Sequence, residues 1–144
     1  MAEETPIVGR TKHGKLTLDQ LAELQPGLGQ LMPLASERYW TLYYAAKGGN
    51  WALADYELRG LKSLWQKMGT TRPKYKGMLE DYARKIFDPL ARQIAAKNFT
   101  EFDEIYQAGI ALANSMHVAS NHAEIAWKLP PNPPQHLDLG PQKS

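Results

Sequence analysis

The chain has 144 residues, of which 43% are hydrophobic and none is cysteine, and its formal net charge is +2. This length suits one domain, and the lack of cysteine excludes disulfides, thiolate metal sites and covalent haem attachment through C-x-x-C-H. The charge is too small to indicate nucleic-acid binding, and the sequence contains neither a run of 18 apolar residues nor the apolar segment of a secretory signal. We therefore expect a soluble cytoplasmic protein that binds neither nucleic acid nor a membrane.

The sequence predicts helices joined by short turns. No alternation of polar and apolar residues with period two is long enough to indicate a strand. Thr17 and Gln20 form a capping-box pattern, which predicts a short helix that the following proline–glycine pair ends. The first long helix is predicted from about Leu28 to Lys47, with apolar residues three, four or seven apart. Pro33 lies inside this span and is an alternative start, because proline is tolerated in a first helical turn.

A well-specified turn separates the first two long helices. Gly48 suits the left-handed position after a helix, and Asn50 is a good N-cap for the next one. The second long helix is therefore predicted over residues 51–68, and Gly69 is predicted to end it.

Two more long helices follow. The third is predicted over residues 77–97, where Pro89 must kink or split it and Asp88 is a candidate cap for the second part. The fourth is predicted to begin at Thr100 and to continue to about Trp127. Four long helices with short connections indicate an all-α, antiparallel, up-down-up-down four-helix bundle.

The sequence divides into three parts on this basis. Residues 1–27 form an N-terminal arm with the short helix, residues 28–128 form the bundle, and residues 129–144 form a proline-rich tail. The tail contains five of the ten prolines and favours an extended conformation. It is predicted to lie over the bundle, to lie against a partner, or to be a weakly ordered terminus.

The fourth helix contains the string A-N-S-M-H-V-A-S-N-H, from Ala113 to His122. His117 continues an inward-facing stripe and is predicted to point at the core, either as a hydrogen-bonded core histidine or as a ligand of a metal or haem. His122 lies five residues further on, about 140° around a straight helix, so the two histidines cannot chelate one metal.

Two further residues are candidates for a site. Gly109 lies in the middle of the fourth helix, where glycine costs about 1 kcal/mol relative to alanine, so a helix or a flat ligand is predicted to approach closely. Glu57 in the second helix is an acid or base candidate if it is buried, although an exposed glutamate is the commoner case.

Aromatic residues cluster in the first two helices, because seven of the fourteen lie between Tyr39 and Trp65. Trp40, Tyr43 and Tyr44 of the first helix are predicted to form a homodimer interface, where amphipathic rings are favoured. The alternative is that these rings form the wall of a cofactor site.

Two segments resemble one known family. The segment Y-Y-A-A-K-G-G-N-W-A-L-A-D-Y-E-L and the string around His117 look like small bacterial cytochrome c-like proteins, which are similar to the four-helix cytochromes c′. The resemblance covers about residues 28–134. It places Ala113 and Met116 where the family has its haem-attaching cysteines, His117 at the proximal ligand and Met32 on the distal face of the haem.

The first functional hypothesis follows from this resemblance. It assumes that the bundle binds haem, but non-covalently because the attaching cysteines are absent. His117 would bind the iron, and the opposite side would hold either Met32 as the sixth ligand or an open site. Ala113, Met116 and Gly109 would line the pocket. Arg72 would meet the haem propionates. Electron transfer, sensing or haem carriage would follow, with a redox or client protein as partner.

The second hypothesis is a cofactor-free bundle that acts as a dimeric protein-interaction module or binds a small apolar ligand. Met116 and Ala113 would then fill space that a haem occupies in the family. An enzyme is the third hypothesis, through an open haem face or through proton transfer between Glu57 and His117.

Overall fold

The computed structural model describes residues 7–143, so the first six residues of the predicted arm and Ser144 lie outside it. The chain is mostly helical, at 69% helix. Its elements in chain order are β1 Val8–Thr11, β2 Gly14–Thr17, α1 Leu18–Leu24, α2 Leu28–Gly48, α3 Trp51–Thr71, a 3-10 turn Pro73–Tyr75, α4 Lys76–Tyr82, a π-helical turn Ala83–Phe87, α5 Asp88–Ala96 and α6 Phe99–Ala119. Among the described residues, no helix is both long and apolar enough to cross a bilayer.

A small hairpin precedes the helices, so the prediction that the chain contains no strand is wrong. Strands β1 and β2 pair antiparallel, with Val8 opposite Thr17 and Thr11 opposite Gly14. Each strand has only four residues, which is too short for a period of two to stand out in the sequence. The turn is held locally, because the His13 amide donates to the Thr11 hydroxyl oxygen at 3.0 Å.

Helix α1 follows the hairpin directly. The Gln20 amide donates to the Thr17 hydroxyl oxygen at 3.1 Å, and the Thr17 amide donates to the Gln20 side-chain oxygen at 2.8 Å. This reciprocal pair is the capping box that the sequence pattern predicts, and α1 extends from it over Leu18–Leu24.

Helices α2 and α3 differ from the predicted bounds at their ends. Helix α2 keeps Pro33 inside it, and the left-handed residue after it is Gly49, with φ of 87°, rather than Gly48. The predicted N-cap Asn50 is confirmed, because its side-chain oxygen accepts from the Leu53 amide at 3.1 Å. Helix α3 passes through Gly69 and ends at Thr71, since the residue before Pro73 is disfavoured in a helical conformation.

The third long segment, residues 76–96, is a continuous helical run with a π-helical turn just before Pro89. Proline lacks an amide proton and collides with the preceding turn, and a wider turn accommodates both effects. Asp88 does not cap a new helix, because its amide bonds to the Ala83 carbonyl within the π-helical turn. Its carboxylate lies 3.7 Å from the Lys62 ammonium.

Helix α6 begins and ends earlier than predicted. Its N-cap is Asn98, whose side-chain oxygen accepts from the Glu101 amide at 3.2 Å, so Thr100 is already inside the helix. The helix ends at Ala119 instead of near Trp127. Asn121 adopts the left-handed conformation with φ of 66°, and the His122 amide donates back to the His117 carbonyl at 2.8 Å. This pattern closes a helix, so residues 120–127 leave it.

One hydrophobic core joins the long helices. Helix α3 packs against α2, α4 and α5, and helix α6 packs against α2, α4 and α5. The largest fully buried side chains are Tyr106, Phe87, Phe102, Leu42, Leu58, Leu61, Met68 and Leu90.

The helix ends meet in two groups. At one end of the molecule, Arg72 after α3 donates to the Gln25 carbonyl before α2, and Ser120 after α6 lies 3.8 Å from the Met78 sulfur in α4. At the other end, the start of α6 contacts the last turns of α2 and the start of α3 through aromatic pairs.

Candidate functional site

A tyrosine cluster fills the centre of the core. The rings of Tyr39 in α2 and Tyr106 in α6 stack with centroids 4.0 Å apart. The Tyr39 hydroxyl donates to the Tyr106 carbonyl at 2.8 Å, and the Tyr106 hydroxyl donates to the Tyr39 carbonyl at 2.6 Å. The Tyr82 hydroxyl donates to the Gly109 carbonyl at 3.0 Å. Each buried hydroxyl therefore has a partner, as a polar group in a core requires.

Burial controls the ionisation of these tyrosines. It raises the pKa of Tyr82 to about 12, and it raises the pKa values of Tyr39 and Tyr106 well above their ordinary value. The three hydroxyls are therefore protonated donors at neutral pH. Their arrangement stabilises the contact of α6 with α2 and α4.

Gly109 lies at a close contact of α6 with side chains of the neighbouring helices. A side chain added there would collide with the Tyr39 hydroxyl and would lie 2.9 Å from Ile86 Cγ2 and 3.0 Å from the Tyr82 hydroxyl. Of the two predicted reasons for this glycine, the structure shows helix packing. The space beside Gly109 is filled by tyrosine rings, so it offers no room for a flat ligand.

His117 does not point at the core, and that part of the prediction is wrong. The side chain is half-buried, and its Nδ1 lies 2.8 Å from the Ile125 carbonyl oxygen in the segment after α6. The inward stripe of α6 ends earlier, because Gly109 is its last buried residue. Since a carbonyl only accepts, Nδ1 carries a proton, and in the neutral ring Nε2 then has a lone pair that can bind a metal.

The other predicted haem residues are half-buried. Met32 in α2 and both Ala113 and Met116 in α6 pack against the core. A haem held between Met32 and His117 would have to lie between helices α2 and α6.

Trp127 is seated between those same two helices. Its amide donates to the Asn114 side-chain oxygen at 2.8 Å, and the Asn114 side-chain amide donates to the Trp127 carbonyl at 2.9 Å. The indole Nε1 donates to the Ser36 hydroxyl oxygen at 2.7 Å, and the indole ring lies 5.5 Å from the Tyr39 ring.

The position of Trp127 decides whether haem fits. Ser36 lies one helical turn from Met32, and Asn114 lies one turn from His117. The indole thus occupies the groove that the predicted ligand pair would need. The residues fit a haem only if Trp127 leaves this groove.

Arg72 and His122 have other partners. The Arg72 guanidinium donates to the Thr71 carbonyl at 2.8 Å and to the Gln25 carbonyl at 2.9 Å, which ties the end of α3 to the start of α2. His122 is exposed and lies 2.9 Å from the Glu124 carboxylate. Within residues 7–143, no group of three or more histidine, aspartate or glutamate side chains is arranged to hold a metal ion.

An ion pair lies in a cleft between α2 and α3. The Arg38 guanidinium is 3.2 Å from the Glu57 carboxylate, and it lies close over Gly60, where a larger residue would collide with it. Glu57 is only 8% exposed. Burial raises the pKa of the Glu57 carboxyl, and the nearby Arg38 guanidinium partly offsets that rise.

This cleft has a volume of about 520 Å³, and the C-terminal tail forms part of its wall through His136 and Leu137. Glu57 therefore shares a cleft with Arg38 and His136. His117 is not among the residues that line it, so the structure does not unite the predicted proton-transfer pair of Glu57 and His117.

The outer face of α2, which we define as Trp40, Tyr44 and the following N-cap Asn50, is covered by the tail. The Trp40 indole donates to the Asn132 carbonyl at 2.9 Å, and the Tyr44 hydroxyl donates to the Pro130 carbonyl at 2.7 Å. The Asn50 side-chain amide donates to the Asp138 carbonyl at 2.9 Å. The tail therefore lies over the helices, which is one of the three alternatives left open by its sequence.

The predicted homodimer residues are divided between this face and the core. Tyr43 is buried and packs against Tyr106, whereas Trp40 and Tyr44 hold the tail. A homodimer through Trp40 and Tyr44 stays a prediction, and it requires the tail to move.

Sequence reasoning missed Arg38, Trp127 and His136. Gly60 lies one turn after Glu57 in α3, and a glycine inside a helix is a signal that another group packs closely against that helix. The group here is the Arg38 guanidinium. Trp127 and His136 carry no local signal, because their partners are up to 91 residues away.

The sequence matches no protein-family model, and comparisons with curated proteins and with solved structures returned no match. The resemblance to cytochrome c-like bundles therefore stays a prediction.

Proposed function

We propose that the protein is a cofactor-free, up-down-up-down four-helix bundle that acts as a protein-interaction module through the outer face of α2. The contacts between helix ends support this arrangement, because the end of α3 meets the start of α2 and the end of α6 meets the start of α4. Helices joined by short connections favour antiparallel neighbours.

Filling of the interior by the chain's own rings supports the absence of a cofactor. Tyr39, Tyr106 and Tyr82 close the space beside Gly109, and Trp127 fills the groove between α2 and α6. A bundle packed in this way draws its stability from side chains alone.

The observation that carries the proposal is the outer face of α2. Trp40 and Tyr44 lie one turn apart, and both donate hydrogen bonds to the backbone of the tail, whose residues are mostly exposed or half-buried. Aromatic residues with a polar tip are the usual anchors of protein interfaces. On this proposal, the face binds chain segments, and the homodimer is the arrangement it forms when the tail is displaced.

The test is a chain that ends at Lys128, compared with the full chain by size-exclusion chromatography with light scattering over a concentration series. We expect the shortened chain to self-associate through the uncovered Trp40 and Tyr44, because exposed apolar patches of this kind drive association. The variant with Trp40→Ala and Tyr44→Ala in the shortened chain is the control and is expected to stay monomeric.

Circular dichroism must show that both shortened chains keep their helix content. A folded shortened chain that stays monomeric at all concentrations contradicts the proposal that this face is an interaction surface.

Non-covalent haem binding is the second candidate, and the bond from His117 Nδ1 to the Ile125 carbonyl favours it. That bond orients the ring and leaves Nε2 free, which is the usual arrangement around a metal-binding histidine. Trp127 must first leave the groove. Haemin titration of the full chain and of Trp127→Ala, followed by absorption, tests this candidate.

A Soret shift that appears in Trp127→Ala and disappears on adding His117→Ala supports haem binding, and His13→Ala serves as the matched histidine control. Without a shift in either chain, this candidate fails.

A further inference from the structure

We propose that the outer face of α2 is a recognition site for proline-rich segments of a partner protein, and that the chain's own tail is its built-in competitor. This inference rests on the proposed function and names the chemistry of the partner. It follows from what the face contacts, how the tail is held and where the tail is anchored.

The chemistry of the contact points to a proline-rich ligand. Proline has no amide proton, and a proline-rich segment forms no internal ladder of hydrogen bonds, so its carbonyl oxygens need outside donors. The face supplies such donors to the carbonyls of Pro130 and Asn132 in the string L-P-P-N-P-P. Flat aromatic rings with polar tips are the surface on which proline-rich segments dock in known recognition domains.

The spacing of donors and acceptors is regular. Trp40 and Tyr44 lie four residues apart on one side of α2, and the two carbonyls they bind lie two residues apart in the tail. After residue 132 the tail bends and reverses its direction along α2, so that Asn50 binds the Asp138 carbonyl and Gly48 leaves room for the Leu139 carbonyl beside the helix. The face therefore contacts main-chain carbonyls in two stretches of the tail, residues 130–132 and residues 138–139.

The tail is held in a way that permits exchange. Its three hydrogen bonds to the face are accepted by main-chain carbonyl oxygens, which any segment with a similar backbone conformation can supply. Within residues 129–143, Pro134 is buried and the other residues are exposed or half-buried. Residues 121–126, which join α6 to Trp127, are all exposed.

The anchor of the tail is separate from the face. Trp127 is held by Ser36 and Asn114, in the groove on the α6 side of α2. Loss of this anchor would release the tail and leave Trp40, Tyr44 and Asn50 unchanged. A helical partner does not fit the same donors, because the carbonyls of a helix are already bonded within it.

The experiment uses full-length chains and a fluorescently labelled peptide with the sequence of residues 129–141, followed by anisotropy. Wild type is expected to bind weakly, because a tethered segment competes at an effective concentration on the order of mM. Trp127→Ala is expected to bind at least about tenfold more tightly, since its own tail no longer competes. Asn114→Ala is a second releasing variant in case Trp127→Ala does not fold.

Two controls test the contacts. The first control adds Trp40→Phe and Tyr44→Phe to the releasing variant Trp127→Ala or Asn114→Ala. An aromatic ring stays at each position but both hydrogen-bond donors are lost, so the peptide is expected to bind about tenfold more weakly. A peptide in which alanine replaces the four prolines at 130, 131, 133 and 134 is expected to bind more weakly by a similar factor, because it loses the preformed extended conformation.

The outcomes separate this inference from the proposed function. If the alanine peptide binds as tightly as the proline peptide, the proline-rich partner is wrong and the interaction face stands. If neither peptide binds although trypsin cleaves the released tail after Lys128, and the chain that ends at Lys128 stays monomeric, both are wrong.

If neither releasing variant exposes Lys128 to trypsin, the tail is a fixed part of the fold and the inference is overturned. A releasing variant that dimerises by tail exchange but ignores added peptide also overturns it, in favour of a second copy as the occupant.

Discussion

At the scale of single residues, the contact of α6 with α2 depends on one small residue between hydroxyl groups. Gly109 lets the Tyr39 and Tyr82 hydroxyls reach the α6 backbone, and the Tyr82 hydroxyl bonds to the Gly109 carbonyl itself. An alanine would occupy the space of these hydroxyls. Both hydroxyls are buried and bonded, so neither can turn away without losing its partner.

We expect Gly109→Ala to lower the free energy of unfolding by about 1–3 kcal/mol, because overpacking outweighs the gain in helix propensity of about 1 kcal/mol. Urea denaturation followed by circular dichroism measures this change. Gly77→Ala in α4 is the matched control, since nothing lies within 4 Å of an added side chain there. Its stability should be unchanged or slightly higher. Equal effects of the two substitutions would show that the close contact at Gly109 is not required.

At the scale of elements, the end of α6 decides where the rest of the chain goes. Asn121 in its left-handed conformation turns the chain out of the helix, and Trp127 then returns to bind Asn114 on the same helix. This return fixes the start of the tail beside α2. His117 is half-buried beneath the same segment, which explains why its ring meets the Ile125 carbonyl.

We expect Asn114→Ala to release residues 120–143 while the helices stay folded. The two hydrogen bonds that Asn114 makes with the Trp127 backbone are together worth about 2 kcal/mol, so trypsin should cleave after Lys128 about 30 times faster. Limited proteolysis with mass spectrometry measures this rate. Ser115→Ala is the neighbouring control, because that hydroxyl bonds only to the Leu112 carbonyl in its own helix.

An unchanged cleavage rate in Asn114→Ala would mean that contacts elsewhere, such as those of Pro134 or Asp138, hold the tail on their own.

At the scale of the whole molecule, the buried tyrosines link stability to alkaline pH. The pKa of Tyr82 is about 12 in the folded chain and close to 10 when it is unfolded. The folded state therefore keeps a proton that the unfolded state loses as the pH rises above 10. The stabilisation is complete below about pH 10 and is lost as the pH rises through the folded pKa.

We expect the thermal midpoint to be flat up to about pH 9 and to fall steeply by about pH 12, with Tyr82 alone contributing about 3 kcal/mol. Thermal unfolding at constant ionic strength measures the curve. Tyr82→Phe should make the fall smaller by about the share of Tyr82, and Tyr39 and Tyr106 should account for the fall that remains. Tyr56→Phe should leave the curve unchanged, because Tyr56 is 55% exposed. A midpoint that does not change over this range would show that the tyrosines ionise equally in both states.

The local features of the fold were predictable because they depend on residues close together in sequence. The helix period, the Asn50 cap and the Thr17–Gln20 capping box join residues no more than four apart. The errors at helix ends are of one to three residues where a neighbouring glycine or asparagine was taken as the stop or the cap, as with Gly48 for α2 and Gly69 for α3. The end of α6 was missed by more, because Asn121 was not recognised as a left-handed residue.

The candidate site was less predictable for a physical reason. Gly109 was identified from its position in a helix, but the rings that fill the space beside it come from α2 and α4. His117 was identified as a candidate, but its exposure depends on where α6 ends. Glu57 was a candidate only on the condition that it is buried, and its burial and its ion pair with Arg38, 19 residues away, both depend on how α2 packs against α3.

The sequence by itself determined the helical class, the number of long helices and most of their boundaries, because these follow from short-range periodicity and capping. Only the tertiary structure decided that Trp127 fills the groove between α2 and α6 and that the proline-rich tail covers Trp40 and Tyr44. Those contacts join residues that are 86 to 92 positions apart in the sequence. A local sequence pattern does not specify which distant side chain will form a hydrogen bond with an indole or with a carbonyl that has no partner in a helix or strand.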